Sequence, residues 1–244
     1  MRLIIILFVV LIIFILYILL FIKKPDQYKY DPLYNYQDIR KNMNTGDIIL
    51  FSFKKNNNSL YKSLGYYVRT ELIGSEYGHV GIIVRDKEKL FVLECVSNDH
   101  CSDSKATYLN NYGQGGIRII DLDTVLKDYE GLYAIRFISK EIPYQTIMDK
   151  LEEYVDITFQ DKKKIFILGF ADVCISHNLS KKILSMTKER KIMCSGFVHH
   201  ILNKCGALKD YPSELFWPHL ITDDNIFDPL QIIKYSKIYK FKFT

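Results

Sequence analysis

The stretch GHVGIIVRDKEKLFVLECV, from Gly78 to Val96, contains two apolar runs separated by a short charged segment. The runs His79–Val84 and Leu90–Val96 are rich in β-branched residues, which suit neighbouring strands of a sheet. The charged segment between them has the length of a hairpin loop. This stretch therefore predicts an antiparallel β-hairpin at the centre of the fold.

The predicted hairpin also brings two polar side chains together. If residues 86–87 form a two-residue loop, Arg85 pairs with Glu88. The same register places His79 directly opposite Glu94, with both side chains on one face of the sheet. A slip by one residue would move Glu94 to the other face, and the loop has no glycine to fix its turn type. A carboxylate inside an apolar strand needs a partner, which His79 would supply; the alternative is a glutamate at the strand end that reaches solvent.

Other apolar runs extend the hairpin into an antiparallel meander. They are Asp47–Phe53, Ile117–Leu122 and Leu132–Phe137, and the long segment Ser97–Gly116 has the length of a functional loop. After Pro143 the apolar residues recur at three- and four-residue spacing, which indicates helices. Strands followed by helices predict an α+β domain in which an antiparallel sheet packs against helices.

One predicted helix begins at or just before Cys194. Apolar residues follow this cysteine at helical spacing, and Gly206 fits the position after the helix end. The start of a helix offers unpaired N–H groups and a partial positive charge, both of which favour a thiolate. The main-chain N–H groups of Cys194 and Ser195 would then form part of an oxyanion hole.

Cys194, His79 and Glu94 together meet the requirements of nucleophilic catalysis. A thiol nucleophile needs a positioned base, and the base needs a group that orients it. Each residue alone has a structural alternative, because a single cysteine is more often a small buried side chain and a single histidine is often structural. The prediction of a catalytic triad therefore depends on the three residues being close together.

Three local motifs carry a family resemblance. TGDIILF at Thr45–Phe51, GHVGI at Gly78–Ile82 and CSGFV at Cys194–Val198 resemble the NlpC/P60 superfamily of papain-like enzymes. The histidine motif precedes the cysteine motif here, which is the order of the circularly permuted branch. That branch includes YiiX-like proteins, lecithin:retinol acyltransferase-like proteins and poxviral relatives.

The resemblance implies a papain-like permuted NlpC/P60 fold and a role for each matching residue. Cys194 would be the nucleophile, His79 the base and Glu94 the third polar residue. Met193 departs from the pattern, since conventional members often have aspartate before the cysteine. The segment between Glu94 and Cys194 matches nothing in the family that we can assign.

The N-terminus predicts a membrane anchor. The chain has no charge from Leu3 to Ile22, and about 20 apolar residues are enough for a helix to cross a bilayer. A cleaved signal peptide is the alternative, but the run is longer than a usual signal core and lacks a small-residue cleavage site. We therefore expect a transmembrane anchor at 1–24, a linker at 25–44 and a catalytic domain at 45–244. Lysines after the run favour a cytosolic domain.

The composition limits the kinds of partner that the protein is expected to bind. The net charge of +5 is modest and the basic residues are scattered, so no nucleic-acid-binding surface is expected. The five cysteines do not form an even disulfide pattern, which favours a reducing environment. No cofactor or metal is expected, because the other histidines and cysteines lack metal-binding spacing. The residues weighed for a metal site are His100, Cys101, Cys174, His177, His199 and His200.

The sequence thus predicts a membrane-anchored cysteine hydrolase or acyltransferase that acts on an amide or ester bond. Its substrate would be an acyl-lipid, a peptide or an isopeptide, and its membrane would be cellular or that of a virion. The alternative is a non-catalytic module that keeps the fold and binds a lipid or a protein. The sequence leaves the oligomeric state open.

Overall fold

The chain folds into an α+β domain, as the order of its apolar runs predicts. A computed structural model describes residues 34–52, 76–97, 106–109, 115–129, 132–154, 158–159, 191–222 and 233–243, with Asn178 and Lys182. The strands are β1 (Tyr34–Asn35), β2 (Ile48–Ser52), β3 (Tyr77–Asp86), β4 (Lys89–Val96), β5 (Thr107–Tyr108), β6 (Gly116–Asp121), β7 (Tyr133–Arg136), β8 (Thr158–Phe159), β9 (Lys191–Ile192) and β10 (Tyr239–Lys242).

The helices lie between and after these strands. The α-helices are α1 (Tyr36–Arg40), α2 (Leu122–Asp128), α3 (Tyr144–Leu151) and α4 (Cys194–Lys204), and short 3-10 helices span Glu152–Tyr154, Ser213–Leu215 and Pro218–Thr222. Helix α4 ends at its C-cap Cys205, and Gly206 follows with φ +72°. The left-handed conformation of Gly206 confirms its predicted position just after the helix.

Eight of the described strands form one sheet, in the order β1-β10-β7-β2-β3-β4-β6-β5. Neighbouring strands are antiparallel except β1 and β10, which are parallel. A separate parallel pair joins β8 to β9. Strands β2, β3, β4 and β6 confirm the predicted meander, whereas β7 departs from it because it pairs with β2 and not with β6.

Helices cover both faces of the main sheet. In β2 the side chains of Ile48 and Leu50 belong to the same apolar cluster as residues of α3 and α4. Ile49 and Phe51 belong to a second cluster with residues of α1 and α2. Because alternate residues of a strand point to opposite faces, β2 is buried from both sides. The sheet is therefore the middle layer between two helical layers.

The predicted register of the central hairpin is wrong by two residues. Asp86 pairs with Lys89, so the turn consists of Lys87 and Glu88 rather than residues 86–87. Lys87 has φ +56°, a conformation that glycine or asparagine adopts more readily. The sequence therefore lacks the usual signal for this turn. A shift of two residues keeps every side chain on its predicted face.

The folded domain also includes residues that precede Thr45. Strand β1 pairs with β10, and Tyr36 and Ile39 of α1 are buried. The linker predicted over 25–44 thus differs from the structure in its second half, because the apolar side chains of this segment complete one face of the sheet. Within the predicted loop Ser97–Gly116, β5 adds a short edge strand beside β6.

The predicted anchor, Leu3–Ile22, lies outside the described residues. In the ranges that the structure describes, no helix is long and apolar enough to span a bilayer.

Candidate active site

Polar side chains from three neighbouring strands meet close to the first residue of a helix. His79 lies on β3, Glu94 on β4 and Arg118 on β6. Helix α4, which begins with Cys194, packs against β3 and β4. The structure therefore brings together the three residues that the sequence predicts, and it adds an arginine that was not predicted.

His79 and Glu94 are in direct contact. The distance from the imidazole Nε2 to Oε2 of Glu94 is 2.5 Å. Ile82 is opposite Leu93 in the sheet, so the residue before it in β3, Gly81, is opposite Glu94. A Cβ atom on Gly81 would lie 3.4 Å from Cβ of Glu94 and 2.5 Å from Cγ1 of Val92. Because Gly81 has no side chain, His79 can reach Glu94 diagonally across the hairpin.

Arg118 contacts the other oxygen of the same carboxylate. Its Nε donates to Oε1 of Glu94 at 2.7 Å, and its second terminal nitrogen lies 2.6 Å from the same oxygen. Arg118 is directly opposite Glu94 in the pairing of β4 with β6. A signal was present in the sequence, since Arg118 is a charged residue in an apolar run. Its partner could be identified only once β6 was known to pair with β4.

The buried charges shift the pKa values of Glu94 and His79. Burial by itself raises the pKa of Glu94, but His79 and then Arg118 outweigh this effect and lower it to about 2. Burial by itself lowers the pKa of His79. Here the charges of Glu94 and Cys194, with hydrogen bonds to both, outweigh burial and raise the pKa of His79 to about 10. At neutral pH the pair is therefore an imidazolium and a carboxylate.

Cys194 is the second partner of the imidazole of His79. Its thiol takes part in a hydrogen bond with His79. Since Nε2 of His79 is engaged by Glu94, Nδ1 is the ring nitrogen that is left for the thiol. His79 thus lies between a thiol and a carboxylate, which is the arrangement that a base requires in nucleophilic catalysis.

The start of α4 leaves its first N–H groups without partners inside the helix. The first helical bond runs from the N–H of Phe197 to the carbonyl of Met193, at 2.9 Å. Met193 is the N-cap residue, and its side chain makes no capping hydrogen bond. An aspartate at this position would compete for the same N–H groups. Cys194 and Ser195, the predicted oxyanion-hole residues, are therefore in the first turn of an uncapped helix.

A loop after α4 holds this first turn in place. A Cβ atom on Gly196 would be 2.3 Å from the carbonyl oxygen of Ser213, so only glycine permits this approach. His199 is buried, and its ring nitrogens lie 2.9 Å from Oγ of Ser213 and 2.8 Å from the carbonyl oxygen of Lys209. Its ring also packs on Phe216, with centroids 4.4 Å apart. His199 is therefore a structural residue that joins the helix to the loop.

The two adjacent histidines of α4 point in different directions. His199 is buried against the loop, whereas His200 is half-buried and contacts the ring of Tyr154. Among the described residues, no three histidine, cysteine or acidic side chains are grouped to hold a metal ion. The other residues weighed for a metal site, His100, Cys101, Cys174 and His177, lie outside the described ranges.

Asp47, from the TGD part of the first motif, has a structural environment. Its Oδ1 accepts from the N–H of Ile138 at 2.7 Å, and Oδ2 accepts from the N–H of Asn44 at 2.7 Å. Burial outweighs these hydrogen bonds and raises the pKa of Asp47 to about 7. The side chain ties the segment before β2 to the segment after β7.

These observations define the class of the protein as an α+β domain in which an imidazole interacts with both a thiol and a carboxylate. The chain belongs to the same family as "Uncharacterized protein R372" of Acanthamoeba polyphaga mimivirus. The two sequences are 42% identical over 215 residues, which cover 86% of each protein. This relative is viral, which supports a viral origin for the chain.

The chain is similar to the crystal structure of the metalloprotein yiiX from Escherichia coli O157:H7, with 17% identity and a TM-score of 0.41 over 80% of this chain and 89% of that one. No protein-family model matches the sequence.

Proposed function

We propose that this protein is a cysteine hydrolase or acyltransferase that acts on an amide or ester bond through Cys194, His79 and Glu94. One observation carries the proposal: the imidazole of His79 contacts the carboxylate of Glu94 on one side and the thiol of Cys194 on the other. A thiol, a base and an orienting carboxylate in that order are the parts of an activated cysteine nucleophile.

The first half of the reaction forms a thioester. The reaction starts with the thiol proton of Cys194 on Nδ1 of His79, so that an imidazolium stabilised by Glu94 faces the thiolate. The thiolate attacks the carbonyl carbon of the substrate, and the carbonyl oxygen becomes an oxyanion. When the tetrahedral intermediate collapses, the bond to the leaving amine or alcohol breaks and His79 gives that group its proton. The acyl group then remains on the sulfur of Cys194.

The second half of the reaction releases the acyl group. Water or another acceptor loses a proton to His79 as it attacks the thioester carbon. The carbon–sulfur bond breaks, and the site returns to the thiolate of Cys194 beside the imidazolium of His79. With water the product is a free acid, and with another acceptor it is a transferred acyl group. The same residues therefore serve a hydrolase and an acyltransferase.

The oxyanion of both intermediates requires hydrogen-bond donors. The N–H groups of Cys194 and Ser195 have no acceptor within α4, and the N-cap Met193 has no side-chain oxygen to occupy them. Donors fixed at a helix start also carry part of the positive end of the helix dipole. We assign the oxyanion hole in part to these two main-chain groups.

The predicted anchor would hold the domain close to a bilayer, and acyl-lipid, peptide and isopeptide substrates all fit this position. We propose that the protein is a single-pass membrane protein and that its catalytic domain faces the cytosol. An acyl-lipid, a peptide or an isopeptide of the same membrane would be the substrate, and a viral origin makes a viral or virion membrane a candidate. Two sequence features support this, the uncharged run Leu3–Ile22 and the lysines that follow it.

The proposal is tested by the reactivity of Cys194 in the full chain. The rate of alkylation by iodoacetamide is measured as a function of pH, and each cysteine is followed by peptide mass spectrometry. Cys205 is a matched control, because it lies at the other end of α4 and burial raises the pKa of its thiol. We expect Cys194 to react much faster than Cys205 at neutral pH, and the difference to be lost in His79→Ala.

A positive result is followed by trapping the intermediate. Activated acyl esters and amides of fatty acids and peptides are added, and a thioester on Cys194 is detected by its mass and its cleavage by hydroxylamine. Cys194→Ser is the negative control. If Cys194 reacts no faster than Cys205, and His79→Ala changes nothing, the triad is refuted and a binding module that retains the fold becomes the better interpretation.

A further inference from the structure

We propose that Arg118 is a positioning residue of this site, which holds one oxygen of Glu94 so that the other oxygen stays directed at His79. This inference rests on the proposed function, because it concerns the same triad. It adds a fourth residue, from a strand that carries none of the three sequence motifs.

The two oxygens of the Glu94 carboxylate contact different partners. Both nitrogens of Arg118 that reach Glu94 contact Oε1, at 2.7 and 2.6 Å, whereas His79 contacts Oε2 at 2.5 Å. A carboxylate held at only one oxygen can rotate about its last side-chain bond, and this torsion has only weak preferences. With Arg118 on one oxygen, rotation would break two charge-assisted hydrogen bonds. The plane of the carboxylate is therefore fixed with Oε2 toward the imidazole.

The sheet fixes the position of Arg118 in turn. Glu94 and Arg118 are directly opposite each other on β4 and β6, where side chains on one face are close neighbours. The side chain of Glu94 is 1% exposed and that of Arg118 is 9% exposed. Strong hydrogen bonds of this kind gain strength when water is excluded. The arginine is therefore held by the rigid part of the fold.

The charges explain why the fourth residue is an arginine. Among the described residues, the charged or titratable groups that face Glu94 are His79 from β3 and Arg118 from β6, and Cys194 of α4 faces the far side of His79. Glutamate and arginine neutralise each other, so the imidazolium of His79 and the thiolate of Cys194 balance one another and the buried group carries no net charge. Arginine suits this role because it stays charged at every accessible pH and can present two donors.

The test compares Arg118→Gln and Arg118→Lys with wild type and with Arg85→Gln in the full chain. Arg85 is a matched control: it is an arginine of β3 whose side chain donates to the main-chain carbonyl of Met43. Two quantities are measured, the alkylation rate of Cys194 at neutral pH and the titration of the Glu94 carboxyl by carbon-13 NMR. Thermal unfolding confirms that each variant is folded.

In Arg118→Gln we expect the alkylation rate of Cys194 to fall by about tenfold or more, the scale seen when groups that orient site residues are removed. The titration midpoint of Glu94 should rise by about one to three pH units, because a neighbouring positive charge is lost. In Arg118→Lys the charge remains but the two-donor contact is lost. Its midpoint should stay near the wild-type value while its rate is still reduced. Arg85→Gln should leave both quantities unchanged.

An Arg118→Gln protein that is folded and alkylates at the wild-type rate would overturn the inference. If Arg118→Gln does not fold, Arg118→Lys decides, and an unchanged rate in that variant would overturn it. Failure of the proposed function has a different signature, because the wild-type protein itself would then show no difference between Cys194 and Cys205. A wild-type protein that depends on His79 but not on Arg118 refutes only the role of Arg118.

Discussion

His79 and Glu94 lie diagonally across the β3–β4 hairpin, and their side chains meet over Gly81 with Nε2 and Oε2 2.5 Å apart. Gly81 occupies the place directly opposite Glu94, where any other residue would put a side chain between the two. The contact between base and carboxylate thus depends on a residue that takes no part in the chemistry.

The first prediction concerns this glycine. In Gly81→Ala, the new Cβ would lie 2.5 Å from Cγ1 of Val92 and 3.4 Å from Cβ of Glu94. Overpacking of this kind lowers the free energy of unfolding by about 1–3 kcal/mol. We also expect the alkylation rate of Cys194 to fall, because the diagonal contact is disturbed. Urea unfolding and alkylation kinetics measure the two effects.

Gly206→Ala is the control for that substitution. Gly206 has φ +72°, and a Cβ atom at this position would meet no other atom of the described residues within 4 Å. Its replacement costs about 1–2 kcal/mol from the left-handed backbone alone. It should leave the alkylation rate of Cys194 unchanged, and an equal loss of reactivity in the two variants would contradict the role given to Gly81.

The second prediction concerns the dependence of stability on pH. The pKa of His79 is raised from 6.5 to about 10 in the folded protein, so its contribution is fully present below pH 6.5 and is lost as pH rises toward 10. The free energy of unfolding should therefore decrease over this interval. In His79→Gln the decrease should be smaller, as measured by urea unfolding at a series of pH values. Identical slopes in the two proteins would contradict the raised pKa.

At acidic pH the contribution of the same pair to stability depends on the protonation of Glu94. Its pKa is lowered from 4.5 to about 2, so its contribution is present above pH 4.5 and is lost as pH falls toward 2. The pair of His79 and Glu94 is therefore most stabilising between these two intervals.

The third prediction concerns a substitution that removes the charge of Glu94. In Glu94→Gln, Arg118 stays buried without its carboxylate, and breaking a buried ion pair in this way costs about 3–5 kcal/mol. The pKa of His79 should fall from about 10 toward or below its ordinary value of 6.5, because burial lowers it once the carboxylate is absent. Nitrogen-15 NMR of the imidazole measures that pKa.

Glu153→Gln is the matched control for Glu94→Gln. Glu153 forms an exposed ion pair with Lys204 of α4, and the side chain of Glu153 is 51% exposed. Ion pairs at the surface contribute little to stability. We expect no change in stability and no change in the titration of His79, and a comparable effect at both sites would show that general charge, not contact, sets the pKa of His79.

The fourth prediction separates the structural part of the TGD motif from the chemistry. Asp47→Ala leaves the N–H groups of Ile138 and Asn44 without their acceptor, at a cost of about 1–3 kcal/mol for each buried donor. At a temperature where the variant is folded, Cys194 should still react faster than Cys205. A complete loss of that difference would place Asp47 in the active site.

Much of the fold follows from local patterns. The apolar runs predict the strands β2, β3, β4, β6 and β7 because strand residues alternate between two buried faces, and the stripe after Cys194 predicts α4. The packing of β1 and α1 did not follow, since the pairing of β1 with the distant β10 has no local signal.

Among the strand residues of the site, contacts were predictable only where proximity in sequence implies proximity in space. His79 and Glu94 belong to one hairpin, and both the predicted and the observed register place their side chains on the same face of the sheet. The predicted register was two residues off because Lys87 adopts a conformation that its residue type does not signal. Arg118 was missed because its position depends on how β6 pairs, and many pairings of five strands fit the same sequence.

The parts of the site are far apart along the chain. The imidazole, the carboxylate and the arginine come from β3, β4 and β6, which are neighbours in the sheet, whereas Cys194 follows a long way downstream. Contacts between neighbouring strands form early in folding, and contacts that close long loops form late. We expect the sheet to assemble first and α4 to dock afterwards. A nascent or partly folded chain would then carry only an ordinary thiol, and the emergence of a reactive one would mark the completion of folding.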